Sequence, residues 1–309
     1  MKPIISVIIP VFNRGWQLER ALESLVNQSY KHFEVVVCDD GSDEDIAPLV
    51  EAFRGHLPAV LLIKIPNSGG PARPRNIAVN AAHAEWIALL DSDDWWDVNR
   101  LEVISKNLTG NSEIIYHKLS VVRGHEISRF GEKRSEIGQK MNIDPLHYMA
   151  LFGNPIPASS VVISKSLYME LGGMSEDPDY VAVEDFLMWL RAAKNGVKFN
   201  FIELVLGSYW VGNDSISSLS SHQINAQKRV FQFLVSSIPS RLKGLALSCH
   251  NYRIGSMYLK LKDGHQSFLY LRSASLLPTF YLRASRLVKL FIASVVIIKA
   301  KVIDAIYSK

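Results

Sequence analysis

Apolar runs and stretches of helical spacing alternate along the first hundred residues of this chain of 309. The apolar runs are rich in β-branched residues and show little polar alternation, which is typical of strands covered on both faces. They lie at 4–11, 33–38, 60–65 and 86–90. The stretches between them, with apolar residues at helical spacing, lie at 16–27, 44–53 and 73–82. This alternation predicts parallel strands joined by right-handed helical crossovers.

The rest of the chain predicts a mixed region followed by helices alone. The predicted elements of the mixed region are strands at 113–122, 159–164 and 198–206 and a helix at 184–195. The polar, charged segment 123–140 is interpreted as a mobile surface loop. Spacing is helical throughout the C-terminal part, so we expect a mixed α/β domain over 1–215 and a helical region over 216–309.

Composition narrows the class of protein. Hydrophobic residues make up 48% of the chain, enough for a sizeable core and too many for a disordered chain. The formal net charge of +4 is small for this length, and no nucleic-acid partner is expected. Cys38 and Cys249 offer neither a disulfide framework nor a zinc spacing, which suits a reducing cytoplasm. No signal-peptide pattern is expected before the first strand.

The last apolar segment, 287–306, contains three lysines and Asp304. Its longest uncharged run, 290–298, is far shorter than the ~20 residues needed to cross a bilayer. Arginines just upstream favour a helix that lies on a membrane surface. A terminal helix packed on the protein's own core remains an equal alternative.

A polar cluster directly follows each of the four predicted N-terminal strands. The clusters are Phe12-Asn13-Arg14, Asp39-Asp40-Gly41-Ser42, Asn67-Ser68-Gly69-Gly70 and Asp91-Ser92-Asp93-Asp94. In an open parallel sheet these segments lie at one edge, beyond the carboxyl ends of the strands, where such folds bind ligands. The pattern therefore predicts one polar crevice built from all four clusters.

The cluster at Asp91-Ser92-Asp93-Asp94 is the strongest chemical signal. Two carboxylates one residue apart, directly after a buried strand, can reach a hard divalent cation and the diphosphate that it bridges. A cation would also offset the cost of an acidic cluster at a buried edge. The alternative is a solvated acidic turn that caps a helix beginning near Val98.

The acidic segment after the second strand suits recognition of a nucleobase. A carboxylate there can accept a hydrogen bond from a uracil N–H, much as acidic residues read ribose in dinucleotide folds. Ser42 or Asp43 could also cap the next helix. Phe12, at the end of the first strand, could stack on the base or lie buried in the core.

A glycine-rich turn at 67–76 and an acidic helix start at Glu184 are two further candidates. The turn lacks the glycine spacing of a P-loop or a dinucleotide fingerprint. Its Arg73 or Arg75 could contact phosphate or order the acidic crevice. Acidic residues in a first turn stabilise a helix by ~0.3–1 kcal/mol. The functional alternative for Asp185 is a general base that takes the proton from an acceptor hydroxyl.

Together these segments resemble the family-2 inverting glycosyltransferases of surface-polysaccharide and O-antigen biosynthesis. The resemblance covers roughly 4–217 and implies the GT-A fold, an α/β fold with a Rossmann-like, mixed and mostly parallel sheet flanked by helices. The segments that carry it are Ser6-Val7-Ile8-Ile9-Pro10-Val11-Phe12-Asn13, Val37-Cys38-Asp39-Asp40-Gly41-Ser42, Arg75-Asn76, Leu90-Asp91-Ser92-Asp93-Asp94, Leu171-Gly172-Gly173-Met174-Ser175-Glu176, Glu184-Asp185 and Asn213-Asp214-Ser215-Ile216-Ser217.

The resemblance implies that a UDP-sugar donor binds to a nucleotide-binding half, 1–94, and an acceptor to a second half, 95–215. The residues that would bind the donor nucleotide are Pro10, Phe12, Asn13, Asp39, Asp40, Arg75, Asp91 and Ser92.

It also implies the chemistry. Asp93, with Asp91, would bind Mn²⁺ or Mg²⁺, and Asp185 would be the catalytic base. Glu184 and Trp210 would line the acceptor or donor pocket. A single displacement by the acceptor hydroxyl would invert the anomeric carbon, so an α-linked UDP-sugar would give a β-linked product.

Some features depart from the family pattern. Pro74 stands where a small residue usually precedes Arg-Asn, and Tyr209-Trp210 stands where Tyr-Arg is frequent. The Gln-x-x-Arg-Trp motif of processive synthases is absent from the sequence. Single addition is therefore the better prediction.

We accordingly predict a hexosyltransferase, with β-linked glucose as the specific expectation and a lipid-diphosphate-linked saccharide as acceptor. It would work in the cytoplasm, in peripheral contact with the inner face of the membrane. One alternative is a sugar nucleotidyltransferase, which would need a glycine-rich basic loop where Phe12-Asn13-Arg14-Gly15 stands. The other is a catalytically silent scaffold of a polysaccharide assembly complex.

Overall fold

The structure, a computed structural model, describes residues 3–108, 113–123, 135–212 and 219–307, with side chains as far as 298. The motif at 213–217 and the part of the predicted loop at 124–134 lie outside these residues. The chain divides into two compact units. The first is Met1–Met141 with Asn154–Ile216, and the second is Asn142–Gly153 with Ser217–Lys309. Residues 142–153, predicted to lie in the first domain, belong to the second unit.

The described part of the first unit is built on one mixed sheet of nine strands. The strands are β1 (Ile5–Val11), β2 (Phe33–Asp39), β3 (Val60–Lys64), β4 (Trp86–Leu89), β5 (Trp95–Trp96), β6 (Glu113–Arg123), β7 (Glu136–Ile137), β8 (Val162–Ser164) and β9 (Lys198–Val211). Their order is β3-β2-β1-β4-β8-β6-β9-β5, with β7 beside β6. As predicted, β1 to β4 run parallel. Strand β8 is antiparallel to both β4 and β6, whereas β6 and β9 are parallel.

The helices, numbered along the chain, belong to both units. They are α1 (Gly15–Val26), α2 (Ala47–Phe53), α3 (Ala72–Ala81), α4 (Arg100–Ser105), α5 (Pro145–Phe152), α6 (Lys165–Glu170), α7 (Glu184–Lys194), α8 (Ser221–Ser237), α9 (Ser240–Lys260), α10 (Gly264–Ser273) and α11 (Phe280–Tyr307). The second unit consists of α5 and α8 to α11.

The core of the first unit explains why the N-terminal apolar pattern predicts its strands and helices. Every residue of β1 and β2 is buried, so both faces of these strands are covered. Helix α1 buries Leu18, Ala21, Leu22 and Leu25, which recur three and four positions apart. Each leucine removed from water contributes roughly 1.5–3 kcal/mol. The residues that carry the helical and strand patterns are therefore the ones that the structure buries.

Three predicted elements differ from the structure. The strand predicted at 159–164 begins only at Val162, because Ala158–Ser160 forms a 3₁₀ turn after Pro157. The helix predicted at 44–53 begins at Ala47, where Pro48 sits in the first turn. The segment interpreted as a mobile loop contains β7, which pairs with Leu119 and Ser120 of β6.

No helix among the described residues combines enough length and apolar character to traverse a bilayer.

Candidate active site

The loops after β1 and β2 leave the sheet side by side, as predicted. Val11 pairs with Asp39 at the end of the ladder, and the Asp40 N–H donates to the Val11 carbonyl at 2.8 Å. Asn13, at φ +50°, fastens the two loops together. Its N–H donates to Ser42 Oγ at 2.9 Å, and its amide exchanges hydrogen bonds with Asp43. The alternative that Ser42 or Asp43 caps α2 is wrong, since neither bonds to that helix and Ile46 occupies its N-cap.

Asp39 and Asp40 are both buried, with 3% and 4% exposure. Asp39 accepts the Ser42 N–H at 3.0 Å and so shapes its own turn. Asp40 accepts both the N–H and the hydroxyl of Ser68, at 2.9 and 2.8 Å, which ties the loop after β3 to the loop after β2. Burial raises the pKa of Asp40, and the Ser68 hydrogen bonds oppose that rise. The two carboxyl oxygens still offer further acceptor positions.

Phe12 and Pro10 take contrasting positions on β1 and the segment after it. Pro10 is buried in the strand, whereas the Phe12 side chain is 42% exposed. The alternative of a buried core phenylalanine is therefore wrong. An exposed ring beside Asp40's loop is free to stack on a planar base.

The Asp91–Asp94 turn presents three carboxylates with three different partners. Asp91 accepts from Arg75, Asp93 forms an ion pair with Arg14, and Asp94 accepts the Trp210 N–H at 2.8 Å. Burial raises the pKa of both Asp93 and Asp94, and their mutual crowding with Asp91 raises these pKa values further, although Arg14 opposes the rise at Asp93.

The capping alternative for this acidic turn is also wrong. Helix α4 has Asn99 at its N-cap and receives no side-chain capping bond. The turn is instead braced from the segment before β8. Ser159 Oγ accepts the Asp91 N–H at 3.0 Å, and the Ser159 carbonyl accepts Trp96 Nε1–H at 2.8 Å. Ser92, between the two ligand candidates, is buried at 4% exposure.

Arg75 of α3 joins the acidic turn to the start of α7. Its side chain is 4% exposed and donates to Asp91 Oδ1 at 2.5 Å and to Glu184 Oε1 at 2.7 Å. Both carboxylates raise the pKa of Arg75 against the effect of burial, so the guanidinium stays charged. Its planar fork can satisfy two carboxylates at once, which a lysine cannot do in the same way.

Asp185, the predicted base, lies next to this bridge on the first turn of α7. It accepts the Phe186 N–H at 2.6 Å and a hydrogen bond from Asn154 Nδ2 at 3.2 Å. Loss of water around it raises the pKa of Asp185 to about 7, with Glu184 adding to the rise and Arg75 opposing it. A carboxyl group that titrates near neutrality is suited to proton transfer.

A pocket of about 280 Å³ opens beside Glu184. Glu184 Oε2 is buried and has no hydrogen-bond partner among the described residues. The pocket lining is Ser68, Gly69, Gly70, Pro71, Ala72, Arg73, Ser175, Glu176, Pro178, Val181 and Glu184. The glycine-rich turn and the segment before α7 thus face the same space, with Arg73 as its exposed cation.

Asn76, one position beyond Arg75, organises the segment that leads to α7. Its Oδ1 accepts from Tyr168 Oη at 2.7 Å and from the Met174 N–H at 3.0 Å. Its Nδ2 donates to the Met174 carbonyl and to Glu176, both at 2.9 Å. The Arg-Asn pair therefore ties α3 to two segments of the site. Arg75 reaches the start of α7 at Glu184, and Asn76 reaches the segment before α7 at Met174 and Glu176.

Sequence reasoning missed several participants. Arg14 follows β1 directly and could have been recognised as a partner for the acidic turn. Asn154 carries no local signal, because only the fold brings it to Asp185. Trp210, predicted to line the acceptor or donor pocket, lies among Trp16, Trp95 and Arg20. Its backbone N–H joins it to the acidic turn by donating to Asp94.

The residues present fit a hard divalent cation. Asp91 and Asp93 supply oxygen donors, and crowding among the three carboxylates leaves a charge that a cation would offset. In the described part of the chain, no group of three or more His, Cys, Asp or Glu side chains forms a metal cage. Mg²⁺ and Mn²⁺ usually take one or two carboxylates together with substrate phosphate oxygens.

Curated relatives are glycosyltransferases. The chain is 39% identical over 114 residues to an uncharacterized glycosyltransferase of Rickettsia bellii, a match that covers 37% of this chain and only 16% of that protein. It is 25% identical over 260 residues to the UDP-Glc:alpha-D-GlcNAc-diphosphoundecaprenol beta-1,3-glucosyltransferase WfaP of Escherichia coli, which covers 81% of this chain and 97% of WfaP.

Solved structures show the same fold. S. aureus TarS 1–349 in complex with UDP-GlcNAc superposes with a TM-score of 0.64 at 21% identity, covering 94% of this chain and 89% of that chain. The mannosyltransferase PcManGT of Pyrobaculum calidifontis, in complex with GDP-Man and Mn²⁺, gives 0.59 at 16% identity, covering 100% of this chain and 88% of that chain.

The family model described as "Glycosyl transferase family 2" matches residues 6–150. The predicted fold class and the predicted transferase class are both confirmed. The chain therefore carries a glycosyltransferase family 2 domain in the GT-A fold.

Proposed function

We propose that this protein is an inverting, metal-dependent, non-processive glycosyltransferase that moves one hexose from a UDP-sugar to an acceptor sugar hydroxyl. The observation that carries the proposal is the Arg75 bridge, which joins Asp91 of the acidic turn to Glu184 beside the candidate base. A donor held at the turn and a hydroxyl deprotonated at Asp185 would therefore share one crevice.

The donor nucleotide is proposed to bind at the loops after β1, β2 and β3. Phe12 offers an exposed ring for the uracil, and Asp40 offers carboxyl oxygens for its imide N–H. Asn13 fastens the two loops together, and Asp39 shapes its own turn by accepting the Ser42 N–H. Pro10 and Ser92, both buried, would line the same crevice.

Asp93 and Asp91 would hold Mn²⁺ or Mg²⁺. When bound, the cation supplies Lewis-acid stabilisation of the departing diphosphate. Arg14 and Arg75 pair with these two carboxylates, so both guanidinium groups would also stand close to a diphosphate held there and stabilise its developing charge. Both Mn²⁺ and Mg²⁺ prefer oxygen ligands, which this donor set supplies.

Asp185 is proposed as the general base. Its pKa of about 7 lets it hold a proton from the acceptor hydroxyl and release it near neutral pH. Asn154 fixes one carboxyl oxygen through a hydrogen bond at 3.2 Å. One base and one displacement require attack opposite the leaving group, so the product would have the inverted anomeric configuration.

The acceptor is proposed to be a saccharide on a lipid diphosphate, an intermediate of surface polysaccharide. Support comes from WfaP, whose name specifies UDP-glucose, a diphosphoundecaprenol-linked N-acetylglucosamine and a β-1,3 linkage. We extend to this chain the donor UDP-glucose and a β-linkage.

We also propose peripheral contact of α11 with a membrane surface. Its exposed side chains include large apolar groups, with Phe280 85%, Phe291 71% and Leu287 64% exposed. Two of its basic side chains form hydrogen bonds within the second unit: Arg286 donates to the Ala274 carbonyl, and Lys289 donates to Tyr252 Oη and Ser256 Oγ. An exposed face with so many large apolar side chains suits an apolar environment.

The transfer assay combines purified protein, UDP-glucose, Mn²⁺ and synthetic N-acetylglucosamine on a lipid diphosphate. The proposal expects a disaccharide whose new linkage is β by proton NMR, and its loss on addition of a chelator. Absence of transfer from every UDP-hexose tested, or an α-linked product, would contradict the proposal.

A further inference from the structure

Three tryptophans surround one arginine beside the Asp91–Asp94 turn. Arg20 of α1 lies 3.8 Å from the ring centroid of Trp95, 4.7 Å from that of Trp210 and 5.3 Å from that of Trp16. Trp16 and Trp210 meet edge to face at 6.1 Å. We call Trp16, Trp95 and Trp210 the tryptophan ledge.

The ledge is tied directly to the acidic turn. Arg20 Nη2 donates to the Asp93 carbonyl at 2.5 Å, and the Trp210 N–H donates to Asp94 Oδ1. Trp16 stands two positions after Arg14, which pairs with the Asp93 carboxylate. Arg20 and the Trp210 backbone are therefore held beside the carboxylates that are proposed to hold the donor.

Core packing does not account for this arrangement. Trp16 remains 57% exposed although it lies in a well-formed helix, and Trp95 and Trp210 are only partly buried. Arg20 keeps a buried Nε without a hydrogen-bond partner among the described residues. Exposing so large an aromatic surface forgoes the stabilisation that burial would bring, which points to a ligand.

We propose that the tryptophan ledge is a saccharide-stacking subsite that takes the apolar face of a pyranose ring. The C–H groups on that face carry partial positive charge, and the face of an indole carries partial negative charge. Two indoles at right angles form a corner that can hold a ring from the side and from below. Arg20, which lies over Trp95 and donates to the Asp93 carbonyl, holds this corner beside the acidic turn.

The inference rests on the proposed function for its location, since the sugar would be either the transferred hexose of the donor or the acceptor ring. Both present the same pyranose chemistry. Binding measurements can distinguish them because UDP alone lacks the sugar and a soluble acceptor lacks the nucleotide.

The test compares wild type with Trp16→Ala, Trp16→Phe and the control Val98→Ala, whose side chain is equally exposed at 57%. Calorimetry measures the Kd of UDP, of UDP-glucose, and of N-acetylglucosamine on a short-chain alkyl diphosphate. We expect Trp16→Ala to raise the Kd of one of the two sugar ligands by about tenfold, because one stacking contact is lost. Trp16→Phe should recover most of that affinity, whereas UDP binding and Val98→Ala should stay at wild-type values.

A loss confined to UDP-glucose assigns the ledge to the donor hexose, and a loss confined to the diphosphate-linked sugar assigns it to the acceptor. Unchanged affinity for both sugar ligands in Trp16→Ala would overturn the inference, as would equal losses for UDP and UDP-glucose. Failure of wild type to bind either sugar ligand would overturn it too. If wild type binds sugar through Trp16 but transfers no hexose, the proposed function fails while the ledge stands.

Discussion

Arg75 shows how one buried side chain can set the geometry of a site. A guanidinium at 4% exposure holds Asp91 on one side and Glu184 on the other. Removing it would leave the buried Glu184 and the partly exposed Asp91 without the cation that they share. Uncompensated buried charges of this kind are costly, typically by about 3–5 kcal/mol.

We therefore expect Arg75→Met to lower the free energy of unfolding by about 3–5 kcal/mol, measured by urea denaturation. The matched control is Arg54→Met, which removes an exposed pair with Glu51. That change should cost about 0–1 kcal/mol, since water screens exposed ion pairs. A loss at Arg75 no larger than that at Arg54 would contradict a buried bridge.

The Asp185 carboxyl predicts the pH dependence of turnover. Its folded pKa, about 7, lies well above the ordinary value, so the basic form gains population only as pH rises through neutrality. We expect kcat/KM to fall roughly tenfold per pH unit below that pKa and to level off above it. A profile flat across neutrality would remove Asp185 as the base, and Asp185→Asn should lose turnover at every pH.

The same raised pKa affects stability with the opposite sign. Folding favours the protonated form of Asp185, so its contribution to unfolding free energy declines as pH rises toward about 7. Thermal unfolding of Asp185→Asn should lack this decline. The variant should therefore melt above wild type on the alkaline side, although it is inactive.

At the scale of elements, the segment between α6 and α7 is held by α3. Gly173 has φ +67°, and a Cβ there would lie 2.8 Å from Asn76 Oδ1. That oxygen already accepts from Tyr168 and Met174. Gly172, at φ +81°, has nothing within 4 Å of an added Cβ. Both neighbours have a left-handed backbone that would strain any L side chain, but only a side chain at Gly173 would collide with Asn76.

Both alanine substitutions should therefore destabilise the protein, by unequal amounts. Gly172→Ala should cost about 1–2 kcal/mol from the left-handed backbone alone. Gly173→Ala should cost about 1–3 kcal/mol more, because it displaces Asn76 from buried hydrogen bonds. Equal losses in urea unfolding would show that Asn76 does not organise this segment.

Elements with a strong period were predictable from the sequence, and contacts between distant segments were not. Strands β1 to β4 and helices α1 and α3 follow directly from buried apolar spacing. The same alternation placed four polar clusters at one edge. The 3₁₀ turn before β8 escaped prediction because Ser159 serves the Asp91 turn instead of extending a strand.

Much of the candidate site was also predictable, because Asp39 and Asp40 lie at the end of β2 and Asp91 and Asp93 lie just beyond the end of β4. The tryptophan ledge was not. Trp16 and Trp210 lie nearly two hundred positions apart, and only the closing of β9 against β5 brings Trp210 to α1. Local sequence periodicity cannot predict a contact between residues so far apart in the chain.

At the scale of the whole molecule, the outward face of α11 predicts binding to lipid. Wild type should sediment with vesicles of phosphatidylethanolamine and phosphatidylglycerol. The double variant Leu287→Glu and Phe291→Glu should bind at least about tenfold more weakly, because charge replaces apolar area. Val98→Glu adds a charge at an exposed apolar position of the first unit and should bind as wild type does. Equal sedimentation of the double variant would contradict membrane contact.

The central claim is that one acidic crevice holds a cation together with a uridine diphosphate. Calorimetric titration of UDP, with and without Mn²⁺, tests it most directly. Asp93→Asn should lose the gain in affinity that Mn²⁺ brings, Asp40→Asn should bind UDP weakly in both conditions, and Asp185→Asn should match wild type. Wild-type affinity for UDP in both Asp40→Asn and Asp93→Asn, whether or not Mn²⁺ is present, would contradict the account.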